Sequence, residues 1–173
     1  MEEFRIDPNI AYDVVELPSR GIHYANNKKS ARIAYLTAAD ENILSSPSLI
    51  ATNKVVDELL KRKILDKDLS IDDIVEEDRQ AILIFLRNTS FGSDYKVTST
   101  DPKTGEQFDF ELDLSTLKTK DFTLVADANG EYSYFMEKSK LDITFKFISK
   151  KQEKELDQIK DSWNGNGVPP IIT

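Results

Sequence analysis

The hydrophobic pattern changes period once along this chain. Residues 12–17 form a short β-rich run that ends at Pro18-Ser19-Arg20-Gly21, where Pro18 fixes φ and Gly21 permits a positive φ. Residues 31–36 alternate weakly, and the polar stretch Asn26-Asn27-Lys28-Lys29 lies between the two runs, so a hairpin is predicted. Residues 1–11 read as an extended lead-in, with Pro8 opposing a helix. Thr37 is a good helix cap, with Asp40 three residues later. Ser46-Pro47 looks like a second cap, opening a longer helix to about residue 64 with Val55, Val56, Leu59, Leu60 and Ile64 at helical spacing. Ser70-Ile71-Asp72-Asp73 looks like a third start. It is followed by the acidic stretch Glu76-Glu77-Asp78, whose charges suit a helix dipole, then by an apolar helix over residues 79–88 stopped by Gly92.

Beyond that point the period becomes two. Residues 95–99 read as a strand. Phe108, Phe110, Leu112 and Leu114 alternate with Asp109, Glu111 and Asp113, and Asp101-Pro102-Lys103-Thr104-Gly105 between them is turn chemistry. Asp127-Ala128-Asn129-Gly130 is a second turn. Tyr132, Tyr134 and Met136 alternate with polar or outward positions, as do Ile143, Phe145 and Phe147, and the two runs pair plausibly across Lys138-Ser139-Lys140. Ser149 caps a charged helix running to about residue 163, stopped by Asn164-Gly165-Asn166-Gly167. The apolar, uncharged end Val168-Pro169-Pro170-Ile171-Ile172-Thr173 needs packing, so it is expected either to dock on a partner or to be followed by further chain.

The predicted class is α+β: an N-terminal β-hairpin, a helical middle of two to four helices, a C-terminal antiparallel sheet of about four strands, and a final charged helix. The expected division is residues 1–93 for the hairpin and helical part, 94–148 for the antiparallel β part and 149–173 for the last helix and tail, packed as one unit.

Charge and composition narrow the functional classes. The 173 residues carry a formal net charge of -8. A nucleic-acid role is disfavoured, because such affinity comes from neutralising phosphates with Lys and Arg. The densest basic groups, Lys61-Arg62-Lys63 and Lys150-Lys151, sit beside acidic residues and read as solvated helix faces. There are no cysteines, which removes disulfides and the common thiolate zinc sites. The start Met1-Glu2-Glu3-Phe4-Arg5 carries no apolar signal region, and the longest apolar run, residues 81–86, is far short of the roughly 20 residues a bilayer needs. The expectation is a soluble protein with no membrane association.

Catalytic motifs are missing. His23 is the single histidine, with Ser19 and Asp13 nearby in sequence, but no G-x-S-x-G elbow accompanies it. Gly165-Asn166-Gly167 would need a third glycine where Pro170 stands, and no phosphate-cradling G-x-x-x-x-G-K occurs. Aligning Gly130 with the invariant glycine of a calcium loop puts Val125 and Met136 at ligand positions, so that turn is a hairpin turn. Carboxylates abound, but no spacing singles out an acid/base pair. The expectation is a non-enzyme with no cofactor, metal or small-molecule substrate.

Four short patterns, in order, resemble a known family. Leu17-Pro18-Ser19-Arg20-Gly21-Ile22-His23-Tyr24 is similar to the Leu-Pro-Ser-basic-Gly-x-x-Tyr opening of the baseplate hub and hub-assembly proteins of T-even-like, contractile-tailed bacteriophages. The stretch Leu36-Thr37-Ala38-Ala39-Asp40-Glu41-Asn42-Ile43-Leu44 resembles that family's helix start. Asp78-Arg79 and Leu86-Arg87-Asn88-Thr89-Ser90-Phe91-Gly92 resemble its later Asp-Arg and Leu-Arg-x-x-Ser-aromatic-Gly segments. The agreement covers roughly residues 14–115. Many relatives carry Cys-Pro-x-Cys-Gly where this chain has Asp101-Pro102-Lys103-Thr104-Gly105. The resemblance thus implies a lost zinc knuckle and a hairpin held by strand pairing instead.

The resemblance implies a non-enzymatic baseplate hub subunit, or a chaperone-like tail or baseplate assembly factor, acting by protein–protein contacts. Its partners would be other baseplate or tail proteins: hub, spike or wedge components. Its place would be the virion tail baseplate, or the host cytoplasm during assembly. The alternative is a degenerate zinc-ribbon-like cellular adaptor or regulatory module without metal. Candidate partner-binding residues are Leu17, Pro18, Arg20, Gly21, Ile22 and Tyr24, on a stiff turn that either docks a partner or forms a buried corner. Arg87 is a candidate either for the helix-end carbonyls or for a partner carboxylate, and Trp163 for an anchor or for packing of the last helix. Phe91 is assigned to the core.

Overall fold

A computed structural model describes residues 7, 9–120 and 122–163. The tail 168–173 and its apolar end lie outside the described residues. The chain opens with the predicted hairpin: β1 (Tyr12–Glu16) runs antiparallel to β2 (Ser30–Ala34), from Tyr12 opposite Ala34 to Glu16 opposite Ser30. The hairpin buries one side through β2, whose Ala31 and Ile33 enter the core. α1 (Ala38–Leu44) follows Thr37, whose backbone N–H and hydroxyl both donate to Asp40 (2.7 and 2.8 Å).

The predicted single helix to residue 64 is two. α2 (Pro47–Ala51) stops at Thr52-Asn53-Lys54, where Asn53 takes a φ of 55°, and α3 (Val55–Lys63) starts afresh. Asn tolerates that left-handed conformation better than most residues, and the break turns Leu59 and Leu60 of α3 onto the core. The last helix of the middle, α4 (Glu76–Phe91), begins later than its capping signal suggested. Ser70 instead closes a turn by accepting from Asp73 N–H (3.1 Å), and the following Ile71, Ile74 and Val75 are buried in the core before the helix starts. Gly92, with φ 81°, ends α4 as predicted.

The second half is strand-rich, and its four strands form two separate two-stranded sheets. Among the described residues β3 (Asp94–Thr100) pairs only with β4 (Gln107–Asp113), and β5 (Tyr132–Met136) only with β6 (Leu141–Phe145). The β3–β4 turn is closed by Asp101: its carbonyl accepts from Gly105 N–H (2.8 Å) and its carboxylate from Lys103 N–H (2.7 Å). One carboxylate thus sets the turn in a chain without thiols. A short 3-10 turn (Leu114–Thr116) leaves β4. α5 (Lys150–Ser162) starts at Ser149, where Gln152 Oε1 accepts from Ser149 N–H (2.9 Å). Backbone bonds from Lys150 to Ile74 O (3.1 Å) and from Lys151 to Asp72 O (2.8 Å) tie its start to the segment before α4.

Candidate interaction surface

The turn after β1 is held from beneath by one carboxylate. Asp78, fully buried in the first turn of α4, accepts from Ser19 N–H (2.8 Å), from the Ser19 hydroxyl (2.5 Å) and from the Tyr24 hydroxyl (2.6 Å). Tyr24 in turn accepts from Val75 N–H (3.3 Å). Burial, then the bond to Asp78, pushes the Tyr24 hydroxyl far above its ordinary pKa, so it stays a donor. Gly21 sits at φ 79° in the same turn, and a Cβ there would lie 2.5 Å from the Asn27 carbonyl carbon. Residues 17–24, Val75 and Asp78 therefore form one clasp.

The candidate residues are placed differently around this clasp. Leu17, Gly21 and Tyr24 face inward and are buried. Pro18, Arg20 and Ile22 line an open groove of about 830 Å³, and Ile22 is 55% exposed. The groove is also lined by Ala81, Ile84 and Asn88 of α4 and by Leu117, Lys118 and Phe122. Its lining includes an aromatic cluster in which Phe147 and Tyr132 pack on His23 with ring centres at 5.0 and 6.3 Å. Two buried polar atoms of lining residues, Asn88 Oδ1 and the Tyr132 hydroxyl, have no hydrogen-bond partner within the described residues. Burial, and then the charge of Glu77, raises the Tyr132 pKa, keeping it a donor.

Arg87 and Trp163 lie elsewhere. Arg87 donates to Gly92 O (2.6 Å) and Asp94 O (3.1 Å), and its guanidinium stands over the rings of Phe91 and Tyr95 at 5.5 and 5.9 Å. Phe91, assigned above to the core, is 60% exposed: it is the last residue of α4, where the chain turns away from the core into β3. Trp163 follows α5 half-buried, its indole N–H enclosed without a partner among the described residues.

Two further clasps escaped the sequence reading. Buried Asp40 pairs with Lys63 and with Arg62 Nε (2.9 Å), joining α1 to the end of α3. Buried Asp66 accepts from Arg32 N–H (2.7 Å) and Arg32 Nε (2.7 Å), joining β2 to the segment after α3. Among the described residues no group of three or more His, Cys, Asp or Glu side chains gathers as a metal site.

The family model described as T4 bacteriophage base plate protein matches residues 12–164. The chain belongs to that family. It is a bacteriophage baseplate protein, and the match covers both the clasp and the groove. No curated protein and no solved structure matches it. Membership in the base plate family implies contacts with other baseplate or tail proteins and places the chain in the virion tail baseplate. No helix of the described residues is long and apolar enough to cross a membrane.

Proposed function

We propose that this base plate protein is a non-enzymatic hub subunit or tail and baseplate assembly factor, and that it acts by taking a segment of a hub, spike or wedge protein into the groove beside residues 18–22. The observation that carries this reading is the groove itself. Its exposed lining is mostly apolar, and its rim is built on a turn locked by Asp78. A preordered rim lowers the ordering cost of binding. Chemistry by the one histidine is disfavoured, because the neighbouring Ser19 hydroxyl is committed to Asp78 and His23 packs among aromatic rings.

The test is complementation of a phage lacking the gene. Ile22→Asp keeps the clasp and puts a charge on the groove wall; complete baseplates counted by electron microscopy are expected to fall at least ten-fold, and wild-type counts would remove the groove from the mechanism. Mass spectrometry then separates the two roles. A hub subunit persists in purified virions, whereas an assembly factor is found in the lysate alone.

A further inference from the structure

The β3–β4 hairpin has two chemically distinct faces, and among the described residues neither is covered. Register places Tyr95 opposite Leu112 and Val97 opposite Phe110, with Ser99 opposite Phe108, so these side chains share one face. The rings of Phe108 and Phe110 stack at 5.9 Å on it. Tyr95, Phe108, Phe110 and Leu112 are each between 39% and 51% exposed, and Arg87 joins this face to exposed Phe91. The other face carries Lys96 opposite Glu111, Thr98 opposite Asp109, and the like-charged pair Asp94 and Asp113. Residues 94–113 hold six carboxylates against Lys96 and Lys103, a net charge of -4, half that of the whole chain.

A lone two-stranded hairpin is marginal in water, and an apolar face of this kind marks an interaction site. Its acidity decides the occupant. A second copy of this chain would bring a second set of carboxylates against the first, including another like-charged Asp94–Asp113 pair, and like charges brought together are unfavourable. We infer that the hairpin is a finger inserted into a cleft of a different baseplate protein, one wall of the cleft apolar and the other lined by Lys and Arg. This rests on the contact reading above but concerns other residues, since none of residues 94–113 lines the groove.

Photo-crosslinking during tail assembly tests it, with benzoylphenylalanine placed singly at positions 110, 109 and 22. The expected result is that positions 110 and 109 join the same foreign baseplate protein. Peptides from position 110 should be apolar, and those from position 109 should contain Lys or Arg. The neutralised pair Asp109→Asn with Glu111→Gln lies on an exposed face, keeps an acceptor for the Thr98 hydroxyl and should fold normally, yet lower the yield at position 110 at least ten-fold. Crosslinks to a second copy or to this chain's own termini overturn the inference, as does an unchanged yield in the neutralised pair. Silence at 110 and 109 with crosslinking at 22 also overturns it while leaving the groove reading intact. Silence at all three positions overturns both.

Discussion

Position 21 tolerates almost nothing but glycine, for two reasons that add. Its φ of 79° is one that side chains rarely adopt, and an added Cβ would strike the backbone of Asn27 and Lys28, which cannot swing aside as a flexible side chain could. Gly21→Ala is expected to lose about 1–3 kcal/mol from strain alone, read as a lower midpoint in urea. Tyr24→Phe is gentler in shape but leaves Val75 N–H without its acceptor and takes one of three donors from Asp78. Its expected cost is about 1–3 kcal/mol. Because Ser19 and Tyr24 share that carboxylate, Ser19→Ala with Tyr24→Phe should be non-additive in a double-mutant cycle. Strict additivity would show that the clasp does not act as a unit.

At the scale of elements, the same carboxylates that looked interchangeable along the chain become distinct. Asp40 was legible as the third residue after the Thr37 cap, and Ser149 with Gln152 was equally legible, because caps are written within four residues. The reach of Asp40 to Lys63 and of Asp78 to Ser19, 59 residues away, was not, because only the fold brings them together. Strand pairs could be read from alternation and turns. That the two pairs stay apart could not, since period two fixes which side chains share a face but not which edges meet. Phe91 went astray for a related reason: an aromatic before a helix-ending glycine says nothing of where the chain goes next. Burial by itself pushes the Asp40 carboxyl up, but the Lys63 ammonium and the Thr37 donors outweigh it and hold it below the usual range. A depressed pKa contributes stability that is complete above the unfolded value and is lost as pH falls through the folded one. Stability, measured by denaturation from pH 6 to pH 2.5, should therefore fall below about pH 4, the ordinary aspartate range. Asp40→Asn should be weaker at neutral pH, with Lys63 left buried beside a neutral amide, and should show a shallower acid limb. Arg87 acts on another element. Arg87→Ala removes the donors to Gly92 and Asp94 at the base of the β3–β4 hairpin. Amide exchange over residues 94–113 should quicken while the core amides of β2 keep their protection.

Over the whole molecule, apolar exposure and net charge oppose each other. The outer faces of both C-terminal hairpins, the groove and Phe91 expose large apolar side chains. At neutral pH the charge of -8 keeps copies apart by repulsion. That balance fails near the sequence pI of about 4.8, where the charge vanishes while the apolar faces remain. The pI lies above the range in which Asp40 titrates, so association there involves folded protein. Light scattering is expected to rise between pH 5.5 and 4.8 with the circular dichroism unchanged, and to reverse when pH is restored. Phe108→Ser with Phe110→Ser should delay the rise, because it strips the apolar face of the hairpin and leaves every charge in place. If the double variant scatters as the parent does, the hairpin is not the face through which uncharged copies meet.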